Sequence, residues 1–527
     1  MRFSAGCRIC RARSASVSGG LALIFAIAAA LSFALDALAT PRAPWRRPIA
    51  AAALHVLAFA FVASCVLLVT ARVLFSAFVA VALVGLMAVV SNAKHESLRE
   101  PFVFTDLSLF SQLFSHPRLY LPFLSAGKVA AIAAGVALLA AGYAAETPLA
   151  PRPFAAAAAA VLACFACGCA LARRLALTLD ASADQRRHGF FATFVAYLLN
   201  GLRPATLRAF ERAAAASPFA DGRAAAFPDV IVIQSESFFD VRRAAAGIEP
   251  SLFAHFDRAR RESAFYGELA VPAWGANTMR TEFAMLTGLA SERLGYARFY
   301  PYAFLRRACD SLAGWFRRGG YRTVAIHPYY ADFFGRDRVF PLMHFERFLD
   351  IRHFADAPRA GPYVADAAVA DALIAELDAP RAKPLFAFAM TMENHGPLHL
   401  EAVEPGESRA RHALGDGDEW RDLTVYLRHV ANADAMIGRL LEHLRARRRD
   451  TVVCFYGDHV PALPHVFGKL GVAPERSDYF IWRNFGAPDA RRRDARVEEL
   501  GLILLRATEA QEASSPAANA SEKTTQR

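Results

Sequence analysis

Five short segments hold the residue types that can do chemistry together. Gly457-Asp458-His459 follows the apolar run TVVCFY (451–456). The glycine allows a tight turn. The adjacent carboxylate and imidazole offer one oxygen and one nitrogen ligand, a mix suited to Mn²⁺, Zn²⁺ or Mg²⁺. Ser235-Glu236-Ser237 follows DVIVIQ (229–234), and Glu236 can serve there as a metal ligand or as a plain cap. After LFAFAMT (385–391) comes MENHGP, whose His395 sits in a turn and is placed to act as acid, base or phosphate donor. After YRTVAI (321–326) come His327, Tyr329, Tyr330, Phe333, Phe334 and Arg336. The arginine fork suits bidentate phosphate binding, and the aromatics can line a pocket for a glycerol or a sugar. The fifth segment, GANTMRTEF (275–283), reads as a loop entering a helix with Asn277 or Thr278 at its cap. A hydroxyl there faces free backbone N–H groups at the positive end of the helix. With a divalent cation beside it, the Thr278 hydroxyl loses its proton more readily and becomes a nucleophile.

These segments need a scaffold. The apolar runs, with YFIW (479–482), alternate with amphipathic stretches at 301–318, 364–377 and 421–447. Strands alternating with helices imply crossover units and a largely parallel sheet, hence an α/β domain. Chemistry in such sheets collects at the carboxyl ends of the strands, where these segments fall.

The other half of the chain has a different texture. Of 527 residues, 55% are hydrophobic and 21% charged, and there are eight Cys. That excludes a disordered chain and a disulfide-built miniprotein. Five apolar runs lie at 21–40, 49–71, 73–92, 128–144 and 154–172. Each has a length of about 17–23 residues, enough to cross a hydrocarbon core. Asp36 and Arg72 lie near span ends, where a charge can reach headgroups. Arg2, Arg8, Arg11 and Arg13 precede the first run and favour a cytoplasmic N-terminus, so five crossings put the remainder outside. The net charge of +11 suits nucleic acid or anionic membranes, and the apolar half favours the membrane and argues against nucleic acid. The organisation expected is a basic cytoplasmic segment (1–20), a transmembrane domain (21–173), a connecting helical linker (174–227), a soluble domain (228–506) and a disordered tail (507–527).

Taken in order, VIVIQSES, GANTMRTEF with LTGL, HPYYADFFGRD, MENHGPL and FYGDH resemble the lipoteichoic acid synthase and phosphoglycerol transferase branch of the alkaline phosphatase/sulfatase superfamily. The segment NAKHESLREPFVFTDL resembles the Gram-negative members that decorate periplasmic glucans. The resemblance implies a multi-pass helical membrane domain joined to an alkaline-phosphatase-like extracytoplasmic domain in a bacterial plasma (inner) membrane. It implies Thr278 as nucleophile, and Glu236, Thr278, Asp458 and His459 as ligands of one divalent ion, typically Mn²⁺. His327, Arg336 and His395 would touch the substrate phosphate, with His395 carrying protons. Tyr329 and Phe334 stand where synthases have Asp and Trp, and would touch the transferred head group. The implied reaction moves phosphoglycerol, or a similar group, from a phospholipid such as phosphatidylglycerol to a glycan or polymer acceptor. Two rivals are a metal-dependent phosphodiesterase or sulfatase, and a transporter or scaffold with an inert domain. The formylglycine motif that sulfatases use is absent from the sequence.

Overall fold

The computed structural model describes residues 5–109, 117, 126–151, 153–225, 227–487 and 489–509. Most of the expected tail (507–527) thus lies outside the described residues. The chain divides into two compact units, residues 1–210 with 295–299, and residues 211–294 with 300–527.

The first unit contains α1 (Ala5–Asp36), α2 (Ile49–Thr70), α3 (Val73–Leu98), α4 (Ala126–Ala145) and α5 (Phe154–Ala172). Among the described residues, α2 to α5 are the four helices long and apolar enough to cross a membrane. The first expected span is shorter than the sequence suggested, because the apolar part of α1 is Gly20–Asp36 and the chain turns at 37–40. Asp36 does not reach outward. It is buried, paired with Arg47, and accepts the Phe191 N–H at 2.6 Å. Arg72 does sit at a span end: its Nε donates to the Glu146 carbonyl at 2.6 Å, and its guanidinium lies 4.0 Å over the Tyr143 ring. The polar segment 93–127 begins inside α3, and Lys94 bonds Asp106 at 2.7 Å.

The stretch set apart as a linker is not one along its first part. Helices α6 (Ala181–His188) and α7 (Phe190–Gly201) belong to the first unit, with Ala192 and Ala196 of α7 packed against Ala51, Leu54 and Ala172. Asp184 fixes this region by accepting from the Thr178 N–H and from the Tyr197 hydroxyl. The apolar face of α7 is satisfied by the spans, which is why it does not read as a connector once folded.

The second unit is built on β1 (Asp229–Ser235), β2 (Phe265–Ala270), β3 (Arg322–Ile326), β4 (Arg347–Leu349), β5 (Arg359–Ala360), β6 (Tyr363–Val364), β7 (Leu385–Met390), β8 (Thr451–Gly457), β9 (Arg476–Arg483), β10 (Arg491–Arg492) and β11 (Ala495–Arg496). The sheet order is β10-β2-β9-β8-β1-β7-β3-β4, with β11 also on β2, while β5 and β6 form a separate hairpin. Strands β8, β1, β7, β3 and β4 run parallel, and β9 is antiparallel to both β8 and β2. All seven residues of β1 and of β8 are buried, as expected of central parallel strands covered on both faces. The helices Asp366–Asp378 and Arg421–Ala446 form as the sequence suggests. The expected helix 301–318 is broken into Pro301–Phe304 and Leu312–Arg318, because Ser311 caps the second piece by accepting the Gly314 N–H. The sheet's parallel register brings Ser235 level with Gly457 and Gln234 level with Met390, so the loops after β1, β8 and β7 leave the sheet side by side.

Candidate functional site

Glu236 follows β1 directly, and Asp458 and His459 follow β8. Their ligand atoms all lie within 4.8 Å of one another, and all three residues are buried. His459 Nε2 is 3.3 Å from Asp458 Oδ2 and 3.6 Å from Glu236 Oε1. The backbone makes this approach possible. Gly457 is required, since a Cβ there would meet the Phe238 carbonyl oxygen at 1.9 Å. Ser237 holds a left-handed backbone at φ 54°, which lets its N–H donate to Asp458 Oδ1 at 2.8 Å while its hydroxyl donates to Glu236 Oε1 at 2.8 Å. The Glu236 N–H donates to Thr391 Oγ1 at 2.9 Å, joining the loop after β7.

The remaining atoms define what the site can hold. His459 Nδ1 lies 3.2 Å from the Val460 carbonyl, which can only accept, so Nδ1 carries a proton and Nε2 is the nitrogen left to face Asp458 and Glu236. Nε2 and Asp458 Oδ2 are buried without a hydrogen bond among the described residues. Burial, and then the Asp458 carboxylate, push the Glu236 carboxyl well above the usual carboxylate range. A cluster of one imidazole nitrogen and two carboxylates with unused lone pairs fits a divalent cation.

Thr278 is the first residue of α8 (Thr278–Thr287) and is half-buried. Asn277 precedes it at φ 66°, without a side-chain capping bond. Two bonds pin this turn to the loop after β8: the Gly275 N–H donates to the Val460 carbonyl at 3.0 Å, and the Thr281 hydroxyl donates to the Asp458 carbonyl at 2.8 Å. Thr278 stands between these two anchors.

His327 follows β3 and is buried, with neither ring nitrogen in ordinary hydrogen-bond geometry among the described residues. Burial, reinforced by the Arg336 charge, keeps it neutral. Arg336 is buried too, but its fork is not open as the sequence suggested. Nε lies 3.2 Å from both Glu282 oxygens and Nη2 2.8 Å from Oε2, which leaves Nη1 without a hydrogen bond among the described residues. Phe334, left-handed at φ 59°, places its ring 5.2 Å from the guanidinium. Three non-glycine left-handed residues, Ser237, Asn277 and Phe334, therefore stand within two positions of Glu236, Thr278 and Arg336. Strain of this kind gathers where the surrounding structure over-determines a site.

His395 lies in the loop after β7. Its Nδ1 is 2.7 Å from the Gly396 carbonyl, so Nδ1 holds the proton and Nε2 is the accepting nitrogen. Burial lowers its pKa below the ordinary histidine value. The Tyr363 hydroxyl lies 3.5 Å from the same Nδ1. Tyr329 sits among aromatic rings, 6.2 Å from His327 and 6.4 Å from Tyr363. The electrostatic couplings of Glu236 with Arg336, of His327 with His395 and of His395 with Asp458 bring the segments into one region. Sequence reasoning missed Glu282, Thr391 and Tyr363. Glu282 stood inside a quoted motif, whereas the two-residue strand carrying Tyr363 has no pattern to detect.

A mixed sheet, parallel at its centre, that gathers such residues at its strand ends defines an alkaline-phosphatase-like domain, here joined to a helical region with four candidate spans among the described residues. Residues 228–503 match the Sulfatase family, more than half of the chain, and the chain belongs to that family. The capsular polysaccharide biosynthesis protein RkpI of Rhizobium meliloti (strain 1021) is 32% identical over 321 residues, which are 59% of this chain and 56% of that protein. A second protein of the same strain, assigned to cyclic β-1,2-glucan modification, is 29% identical over 245 residues, 46% of this chain and 37% of that protein. The chain thus spans about half the length of the first relative and less of the second. The integral membrane protein lipooligosaccharide phosphoethanolamine transferase A from Neisseria meningitidis shares the fold at a TM-score of 0.53 and 12% identity, over 86% of this chain and 87% of that one. The chain thus joins four helices long and apolar enough to cross a membrane, among the described residues, to a C-terminal domain of the Sulfatase family.

Proposed function

We propose that this protein is a metal-dependent transferase that moves phosphoglycerol, or a similar phospho-head group, from a phospholipid to a glycan acceptor. The observation that carries this reading is the pinning of the Thr278 turn against the loop that supplies Asp458 and His459. Glu236, Asp458, His459 and Thr278 would hold one divalent cation, Mn²⁺ foremost. When bound, that ion supplies positive charge that lowers the pKa of a neighbouring hydroxyl and offsets phosphate charge.

The residues of the chain do the rest. The Thr278 oxygen attacks phosphorus, a Thr–O–P bond forms, and the P–O bond to diacylglycerol breaks as diacylglycerol leaves with a proton. Arg336 Nη1 and His327 bind the non-bridging oxygens. In the second step an acceptor hydroxyl attacks the same phosphorus and its proton passes to His395 Nε2; the Thr278 O–P bond breaks, and His395 returns the proton to the Thr278 oxygen, restoring its hydroxyl. Tyr329 and Phe334 would contact the transferred group. The glycan acceptor rests on the names of the two R. meliloti relatives. An extracytoplasmic site in the inner membrane rests on the arginines before the apolar part of α1 and on five crossings, with the 17 residues of Gly20–Asp36 at the lower limit for a span.

The test uses the full chain in detergent with Mn²⁺ and fluorescent phosphatidylglycerol. Wild type should release diacylglycerol and show a glycerophosphoryl adduct on the Thr278 peptide by mass spectrometry. Thr278→Ala should lose both, with turnover falling at least about 10³-fold and the melting temperature unchanged. Turnover retained in that variant removes the nucleophile. Free glycerol phosphate formed in the presence of glycan would instead mark a hydrolase.

A further inference from the structure

The helix that begins with Thr278 also carries Glu282, four residues on and so one turn along the same face. Glu282 is fully buried. Its carboxylate takes Arg336 Nε at 3.2 Å and Nη2 at 2.8 Å, and the buried Tyr302 hydroxyl donates to Oε1. Burial alone would lower the Arg336 pKa, and Glu282 more than reverses this. The rings of Phe333 and Phe334 lie 5.9 Å and 5.2 Å from the guanidinium. The charge is thus paired on one edge and flanked by rings, with Nη1 lacking a hydrogen-bond partner among the described residues.

We infer that Glu282 is a positioning residue that fixes Arg336 so that Nη1 meets the substrate phosphate, and that places this contact in fixed relation to Thr278. The inference rests on the roles proposed above for Arg336 and Thr278. Its physical content is that a guanidinium has five donors on a flexible stem, and only a partner on its other edge selects which of them a ligand finds. A carboxylate does this with charge-assisted bonds, and Tyr302 restricts the carboxylate in turn. Because Glu282 and Thr278 share one helical turn, a shift of α8 moves the nucleophile and the arginine together.

The experiment measures binding of inorganic phosphate to the Mn²⁺-loaded full chain by calorimetry, so it needs no donor substrate. Glu282→Gln keeps the shape and removes the charge. It should weaken phosphate binding about 10- to 100-fold, the range for hydrogen bonds to charged groups, while Mn²⁺ affinity stays at the wild-type value. Arg336→Ala should weaken binding as well. The double variant should fall within about twofold of Arg336→Ala, since Glu282 acts only through the arginine. Tyr302→Phe should cost about 2- to 10-fold. Phosphate affinity unchanged in Glu282→Gln, or losses that multiply in the double variant, would overturn the assignment. If Glu282→Gln does not fold, Tyr302→Phe carries the test, and unchanged phosphate affinity there overturns it equally. Failure of the transferase reading would show separately, as turnover retained in Thr278→Ala while phosphate binding still depends on Glu282.

Discussion

Two clusters in the second unit have the same composition, two carboxylates and one histidine, and opposite character. In one, His429 Nδ1 lies 2.9 Å from Glu393 and Nε2 lies 3.0 Å from Glu401. Glu393 also accepts the Asp366 N–H at 2.7 Å and the Asn432 amide, and Glu401 faces Arg428 at 3.3 Å. In the other, Glu236, Asp458 and His459 crowd together while Asp458 Oδ2 and His459 Nε2 make no hydrogen bond among the described residues. The first cluster holds helix 421–446 to the loop after β7. In the second, Ser237 uses one oxygen of each carboxylate, and the atoms that face one another, Asp458 Oδ2 and His459 Nε2, keep no hydrogen bond among the described residues. Acids and a histidine in contact do not by themselves indicate a metal site. Coordinating atoms that face one another without a hydrogen bond among the described residues are what supports the proposed one.

The largest effect that can break this contrast comes from Asp458→Asn. Turnover should fall about 10³-fold or more, the scale of several kcal/mol lost with the cation. Mn²⁺ should raise the melting temperature of wild type and leave that of the variant unmoved, because binding to the folded state alone stabilises it by mass action. Metal-free, the variant should melt at or above wild type, since the crowded Glu236 and Asp458 carboxylates no longer oppose each other. Scanning calorimetry with and without Mn²⁺ reads both. A variant that still gains stability from Mn²⁺ would move the ion elsewhere.

The same contrast marks what the sequence allowed one to see. Glu236, Asp458 and His459 each follow a run of β-branched or aromatic residues too apolar for anything but a buried strand, so their place at strand ends was legible. Thr278 was legible for a related reason, as a hydroxyl at a loop-to-helix boundary. Arg336 was found but misread. An arginine after an aromatic stretch looks the same whether its fork is open or closed, and the partner that closes it lies 54 residues away. Strand β2, with the sequence FYGELA, shows no apolar run because its residues alternate between buried and half-buried. The apolar run continues to residue 40 through Leu38 and Ala39, whereas the helix ends at Asp36, which pairs across the chain with Arg47. In the fold, patterns read along the chain survived. Pairings across it did not show.

A second test sharpens the comparison from the other side. Glu393→Gln or His429→Phe removes one partner from the satisfied cluster and leaves buried polar atoms unpaired. Such a break costs about 3–5 kcal/mol. Chemical denaturation should show that loss, while Mn²⁺ affinity measured on the remaining folded protein stays at the wild-type value. Altered Mn²⁺ affinity would mean that the two clusters are not separate devices.

The smallest effect concerns the outer edge of the satisfied cluster. Glu407 accepts from Arg428 Nη2 at 2.5 Å and from Arg411 Nε at 3.0 Å, and Arg428 also reaches Glu401. Burial would raise its pKa, but the arginines and the Glu404 N–H outweigh burial and hold the carboxyl at about 2. Its folded pKa therefore lies below its unfolded value of about 4.3. The stability it contributes is fully present above the unfolded value and is lost as pH falls toward 2. Glu407→Gln should leave no such contribution to lose, so the gap in denaturation midpoint between wild type and variant should close between about pH 4.5 and 2. The pair is half-exposed and screened, so high salt should narrow the gap at neutral pH. A gap that is independent of pH across this window would mean that Glu407 acts through packing alone. The charge balance of the satisfied cluster would then end at Glu401.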